Sequence, residues 1–279
     1  MEHLKAGQGD KWLAYEPDVV QIPAGPFLLG SAVTNELRDD DEPELACVTL
    51  SYRYAIAIHP VTVGQFRPFI ASGAYAQRHY WTEAGWRLSA GRTQPDHWQD
   101  PEWAGDNRLP VVGVSWYEAY AYARWLSETS GRAYRLPSEA EWEKAARGGL
   151  QVLDRHGGLI ENPFPAREWP WGDEAPDELR LNFGGAVGHT TTVGSYPEGA
   201  SPYGALDMAG NVWEWCDGRW TLPYTFLEND DPDGEEDRVV RGGSWFNTAA
   251  QARCAHRLRL MANLRFDHDV GFRLVLLGG

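Results

Sequence analysis

Three kinds of hydrophobic pattern alternate along the chain. There are short β-branched or alternating runs, two helical segments behind strong start signals, and long aromatic-rich stretches with no period. Val19-Val20-Gln21-Ile22 and Phe27-Leu28-Leu29, separated by Pro23-Ala24-Gly25-Pro26, read as two strand pieces joined at a Pro/Gly turn. Val48-Thr49-Leu50 and Tyr54-Ala55-Ile56-Ala57-Ile58 read as a strand pair ended by Pro60. The amphipathic run 63–70 predicts a helix capped by Thr62, with Pro68 inside it to kink or shorten it.

Two helix starts follow. Ser115-Trp116-Tyr117-Glu118 is a capping box: the serine hydroxyl takes one free first-turn amide, and the glutamate reaches back to another. That helix runs to about Ser130, stops at Gly131, and turns Trp116, Ala119, Tyr120, Ala123 and Trp125 or Leu126 inward. Pro137-Ser138-Glu139-Ala140-Glu141 repeats the device, with Leu136 as staple, Trp142, Ala145 and Ala146 inward, and Gly148-Gly149 as terminator. Residues 73–108 carry Trp81, Trp86, Trp98 and Trp103 among Gly, Asp and Pro with no period, which predicts an ordered covering loop. Beyond Leu150 the chain is loops and short strands. The stretch 239–275 looks central: Val239-Val240 meets a Gly242-Gly243 break, and Val270–Val275 alternates like a strand. The long segment between them holds Trp245, Phe246, His256, Phe266 and several arginines, and a loop of that length is functional or disordered. Its aromatic content argues for function.

Composition narrows the classes. With 43% apolar and 13% aromatic residues the chain can bury a core, and no composition shift or internal repeat divides it. The reading is therefore a polar lead-in over 1–17 and one domain over 18–279. Twenty-five basic against 40 acidic residues give a net charge of −15, which disfavours nucleic acid as partner. Cys47, Cys216 and Cys254 show no metal-ligand spacing. The N-terminus has no apolar leader and no window reaches about 18 apolar residues, so the expectation is no membrane span and a soluble, cytoplasmic location.

Five motifs occur in order: Arg135-Leu136-Pro137-Ser138-Glu139-Ala140-Glu141-Trp142-Glu143, Pro170-Trp171-Gly172, Gly210-Asn211-Val212-Trp213-Glu214-Trp215, Arg241-Gly242-Gly243-Ser244-Trp245 and Gly271-Phe272-Arg273. Together they resemble the sulfatase-modifying-factor family, founded on the formylglycine-generating enzyme, over about residues 18–275. The resemblance implies an α+β fold low in regular structure, a formylglycine-generating-enzyme-like variant of the C-type-lectin fold, with calcium fixing loops. It also implies a calcium site at Asp207, Gly210, Val212 and Glu214, which together offer the all-oxygen donors this ion takes. The alternative is that Asp207 and Glu214 only brace a turn. A second family calcium site would start at Asn182-Phe183, but its aspartate falls in the Gly184-Gly185-Ala186 region, so that site is expected to be lost.

The resemblance also bears on catalysis. The family's copper-dependent enzymes carry a cysteine pair just after the RGGS motif, and those positions here are Asn247 and Ala252. Cu(I) selects soft thiolates, so copper and thiol oxidation are not expected, and Cys254 reads as a small buried filler. His256 and His268 with Asp267 or Asp269 could form an iron facial triad, but surface roles are favoured. Relatives that are iron-dependent sulfoxide synthases place their iron histidines in an additional helical domain, for which this chain has no room. No G-x-S-x-G elbow surrounds Ser244, against a hydrolase.

Two functions remain. The first is a calcium-braced module that binds a protein or small-molecule ligand through the 73–108 loop and the 245–269 loop, at Trp245, Phe246, Asn247, Thr248, His256, Leu258, Phe266, Asp267 and His268. Some relatives are diversity-generating-retroelement variable proteins, and six of these residues fit randomised asparagine codons, although Gln251 and Met261 do not. The second is an oxidoreductase of the family working without the cysteine pair, as in enzymes that mature a siderophore chromophore.

Overall fold

Four strands open the fold in a computed structural model that describes residues 12–278 except 90, 155, 225–230 and 266. They are β1 (Val19–Ile22), β2 (Gly25–Leu29), β3 (Ala46–Leu50) and β4 (Tyr54–Ala57). Helices α1 (Val63–Ala71), α2 (Glu83–Ser89), α3 (Pro101–Ala104) and α4 (Trp116–Ser130) follow, then β5 (Ala133–Arg135) and α5 (Glu139–Arg147). The remainder holds β6 (Gln151–Leu153), β7 (Leu159–Glu161), β8 (Trp213–Arg219), β9 (Arg238–Arg241), β10 (Arg257–Leu260), β11 (Val270–Gly271) and β12 (Val275–Leu277). This is the mixed, loop-rich architecture expected. Most of the lead-in lies outside the described residues.

The caps read from the sequence form. Ser115 and Ser138 each accept from the third residue of their helix while Glu118 and Glu141 bond back, and Gly131 closes α4 in the left-handed region at φ 72°. Thr62 and Gln65 make a third capping box, and α1 continues to Ala71 with Pro68 inside it. Residues 73–108 are more regular than expected, since α2 and α3 both lie there. Their aromatics do plug the core: Tyr75, Tyr80, Trp81 and Trp103 are buried.

Strand pairing departs from the expectation. Neither early strand pairs with its chain neighbour across the first turn: β1 pairs with β4 and β2 with β3, all antiparallel. The two larger sheets run β1-β4-β12-β5 and β10-β9-β8-β11, with β11 parallel to β8. The segment read as one strand over 270–275 therefore splits between them. Its middle bridges the sheets, Phe272 and Leu274 giving their carbonyls to Val61 and Ala57. The main core fills the space beside α1 and α4 with Phe66, Phe69, Trp116, Tyr122, Trp125, Trp213, Trp215 and Phe272. A second cluster joins Ile22, Ile56, Trp142, Met208, Val239 and Val275.

Charged side chains are built into this interior. Every residue of α5 is buried, including Glu139 and Glu143. Their carboxylates take Arg241 at 2.8 and 2.5 Å, and Glu139 also takes Arg257 at 2.8 and 3.0 Å. A charge buried without a partner costs several kcal/mol or about 3–5 when its partner is removed. The acidic residues of the 135–143 motif and Arg241 of the 241–245 motif thus require one another. Among the described residues no helix is long and apolar enough to cross a membrane.

Candidate functional site

Arg241 anchors the end of β9, and the next two residues turn the chain sharply. Gly242 and Gly243 have φ of 97° and 72°. A Cβ on Gly243 would meet the Gln251 carbonyl oxygen at 2.9 Å and Ala252 Cα at 3.1 Å, so only glycine fits. Ser244 emerges from this turn as a buried hydroxyl facing Asn247 Oδ1 at 2.6 Å and Asp269 Oδ2 at 2.7 Å. One hydroxyl proton serves one acceptor at a time. Burial pushes the Asp269 carboxyl above its ordinary value, against the Ser244 hydrogen bond, and the charge of Asp267 adds to the rise. When protonated, Asp269 can donate to Ser244 while Ser244 donates to Asn247. Asp269 and Ser244 form a short polar relay that can hold a proton or pass it on, with the Asn247 amide oxygen as a fixed hydrogen-bond acceptor.

An aromatic group lies beside this relay. Trp103 stacks with Trp245 at 6.2 Å between ring centroids, and His268 packs 4.6 Å from Trp103 and 5.6 Å from Trp245. His97 adds a ring 5.9 Å from His268 and has φ 63°, a left-handed conformation unusual for a non-glycine residue. Strained backbone of this kind concentrates at functional sites. Phe246 stands out from the surface at 69% exposure, its ring edge-on to Trp245. The indole nitrogen of Trp245 is buried without a hydrogen-bond partner.

Backbone contacts hold these loops together. Trp245 N–H donates to Asn211, Trp213 N–H to Asp269, and Gly113 N–H to Asp267. Gly184 and Gly185, in left-handed conformation, donate to the carbonyls of Asn247 and Trp245. Gly184 and Gly185 thus brace the candidate site.

The expected ligand-binding residues divide. Trp245, Phe246, Asn247, Asp267 and His268 come together, and Thr248 is exposed next to them, capping the 3₁₀ turn 249–252. Phe266 lies outside the described residues. His256 and Leu258 do not belong to this surface. His256 is buried, its Nδ1 3.6 Å from Glu42 and its ring 5.8 Å from Trp213. Leu258 sits in β10 opposite Val240 and packs on the main core. The reason is local: Arg253 and Arg257 are drawn inward to Glu42, Glu168 and Glu139, and that pulls the 253–258 segment into the protein. Among the described residues no group of three His, Cys, Asp or Glu side chains could hold a metal, so the His256–His268 triad does not assemble. Trp103, His97 and Asp269 are the site residues that sequence reasoning did not single out for binding; the tryptophan-rich 73–108 stretch was the signal for the first two.

Asp207, Gly210 and Val212 lie in the turn that leads into β8, where Glu214 sits, with Asp207, Gly210 and Asn211 all at positive φ. As it stands, the donor set does not fit calcium. Both oxygens of Glu214 take Arg273, at 2.6 Å each, and one also takes Trp142 Nε1 at 2.7 Å. Arg273 also donates to the Asp207 carbonyl at 3.1 Å, and Asp207 Oδ2 accepts the Gly194 N–H at 2.7 Å. A guanidinium already neutralises the place a cation would take. Burial raises the Glu214 carboxyl despite Arg273 and Trp142, with Asp207 adding to the rise. The contacts carry the bracing role.

At positions 247 and 252 no thiol stands. Asn247 is bound to Ser244, and Ala252 is buried against Leu181 and Ala209. Cys254 is fully buried, and burial pushes its thiol up to about 12, far from a reactive thiolate.

Comparison with known proteins agrees with this geometry. The profile of the Sulfatase-modifying factor enzyme 1-like domain matches residues 9–277. Hercynine oxygenase of Mycobacterium tuberculosis is 34% identical over 88% of this chain, which spans only 59% of that protein's length. The inactive C-alpha-formylglycine-generating enzyme 2 of Mus musculus is 33% identical, covering 95% of this chain and 88% of that protein. Among solved structures, PvdO from Pseudomonas aeruginosa superposes with a TM-score of 0.67 at 26% identity over 95% of both chains.

Proposed function

The chain belongs to the Sulfatase-modifying factor enzyme 1-like family, and from that premise we propose that it is a recognition module. It binds a protein or small-molecule ligand at the surface formed by Phe246, Thr248, Asp267 and His268 above Trp245 and Trp103. One observation carries the reading. Where the resemblance places a cysteine pair, an amide closes onto Ser244 and a methyl group is buried, while exposed Phe246 stands over a packed aromatic base with polar groups around it. Aromatic anchors with a polar rim are what binding surfaces concentrate. His256 and Leu258 are turned inward, so genetic diversification of the whole 245–269 stretch is not part of this proposal.

A second reading rests on the 34% identity to hercynine oxygenase. In it the same surface is the substrate side of an oxidoreductase, and Asp269 takes a proton through Ser244. The oxidant and its metal would come from outside the matched residues.

Selection of binders from a displayed random-peptide library separates the readings. Enriched peptides are expected to lose at least about tenfold in affinity on Phe246→Ala, the effect of removing one aromatic anchor, with no oxygen uptake above that of the protein-free mixture when copper or iron(II) and a cysteine-containing peptide are added. Binders indifferent to Phe246→Ala would overturn the recognition surface. Metal-dependent oxygen uptake above that of the protein-free mixture would establish the second reading.

A further inference from the structure

A cavity of 240 Å³ opens beside α4, at the far end of β8 from the relay. Trp213 begins β8 next to Asp269, whereas Asp217, four residues along, lines the cavity. The two places are therefore about 13 Å apart along the strand. The ring of Tyr120 forms one wall, stacked on Trp116 at 5.3 Å, and Trp116 carries the Arg238 guanidinium 3.8 Å from its ring centre. Arg124 stands 5.9 Å from the Tyr120 ring centre, is exposed, and makes no hydrogen bond or ion pair to any described residue. Buried Leu136 and Tyr134 complete the lining, with the tyrosine hydroxyl turned away to Glu16 at 2.9 Å.

Charge decides what such a cavity can hold. Arg135, at its edge, is already neutralised by Glu141 through bonds of 2.6 and 2.7 Å. Asp217 adds a negative charge to the lining. That leaves the Arg124 guanidinium to receive an anion, with the Asp217 carboxylate in the lining to repel a second negative charge. Arginine's planar fork matches a carboxylate with two parallel bonds. The volume lies below the roughly 300–1,000 Å³ of drug-sized sites, so the body must be about one ring with a short chain.

We propose that this cavity binds a small monocarboxylate, its carboxylate on Arg124 and its aromatic or aliphatic body along Tyr120 and Leu136. Phosphates and dicarboxylates, with their second negative charge, are disfavoured by Asp217. The site is independent of the surface around Phe246.

The probe is 3-phenylpropionate, titrated into the full chain and followed by side-chain NMR shifts. Saturable binding is expected with a Kd of about 1 mM or tighter, fitting one partly exposed charge contact and one ring. Arg124→Gln should weaken it at least about tenfold, and the neutral amide of the same acid should bind weakly in the same proportion. Phe246→Ala should change nothing. Equal binding of acid and amide, insensitivity to Arg124→Gln, or no saturation by about 20 mM would each overturn the proposal. Because Arg124 is exposed, loss of folding does not cloud the variant.

Discussion

Removing Arg273 should be worse for the fold than removing its partner Glu214, and neither change should involve calcium. Arg273 is fully buried and donates to Glu214 and to four carbonyls, those of Ala57, Ile58, Leu206 and Asp207. In Glu214→Gln the guanidinium loses its counter-charge but keeps the carbonyls, so the cost is about 3–5 kcal/mol. In Arg273→Met the four carbonyls lose a donor; that of Ile58 keeps the Leu206 N–H, and the other three cost about 1–3 kcal/mol for each group left unsatisfied, a total of at least about 3. Glu214 also loses its cation there. Its carboxyl is already raised by burial, so it takes a proton more readily, and the Arg273→Met deficit should shrink as pH falls from 8 to 5. The double variant should not recover wild-type stability, because the carbonyls of Ala57, Leu206 and Asp207 still lack the Arg273 donor. Thermal and urea melts with EGTA or with about 1 mM calcium test the metal side: a site of roughly 10 µM affinity would add about 2.7 kcal/mol, or about 5–10 °C in Tm for a chain of this size. The expected difference is under about 1 °C. A calcium-dependent rise of several degrees that disappears in Glu214→Gln would refute the reasoning and restore the family's calcium site.

Two buried carboxylates should respond to pH in opposite directions. Burial pushes Glu118 up to about 7, against the Ser115 amide and the charge of Arg265. Its folded pKa exceeds the ordinary 4.5, so it destabilises increasingly as pH rises from about 4.5 through about 7. Glu118→Gln, which keeps the capping geometry to Ser115 and Tyr75, should gain about 1–3 kcal/mol at pH 8 and little at pH 5, by urea melts; a gain independent of pH would contradict this. Burial also opposes ionisation of Glu42, but hydrogen bonds from His256, Arg253 and Ser31 outweigh it and hold that carboxyl down to about 2. Its contribution is therefore complete above about pH 4.5 and lost as pH falls through about 2. Glu42→Gln should cost about 3 kcal/mol at pH 7 and progressively less in acid melts, and a deficit that persists unchanged at pH 2 would count against the pairing.

Features set by a few adjacent residues were legible before any coordinates. Ser115 with Glu118, and Ser138 with Glu141, are complete capping signals within four residues, and both helices begin there. Strand partners were not legible, because β2 and β3 alternate much as β1 and β4 do and nothing local says which edge each strand meets. Buried arginines defeat pattern reading in another way. Arg257-Leu258-Arg259-Leu260 has the period of a strand, yet it places arginine where an inward apolar residue is expected, so β10 passed unrecognised. Arg257 is buried because Glu139, far along the chain on α5, receives it and the Trp220 ring lies 4.0 Å from its guanidinium.

The same exchange explains why the candidate site was read only in part. Trp245, Phe246 and His268 are conspicuous in the sequence because aromatic residues in a long aperiodic loop need a reason to be there. His256 and Leu258 looked equivalent to them by that criterion. They part company in space because the arginines at 253 and 257 are worth more paired inside than hydrated outside once Glu42 and Glu139 are already buried and awaiting a cation. Asp269 was legible only as a member of an acidic pair with Asp267. Its distinction from that neighbour, a buried oxygen 2.7 Å from Ser244, exists only after β11 has joined β8 in parallel and carried residue 269 beside the glycine turn. The proton relay is thus a product of sheet topology. A substitution that loosened the short β11 pairing, such as Gly271→Val, whose Cβ would meet the Val111 carbonyl oxygen at 2.6 Å, should uncouple Ser244 from Asp269 without touching either residue.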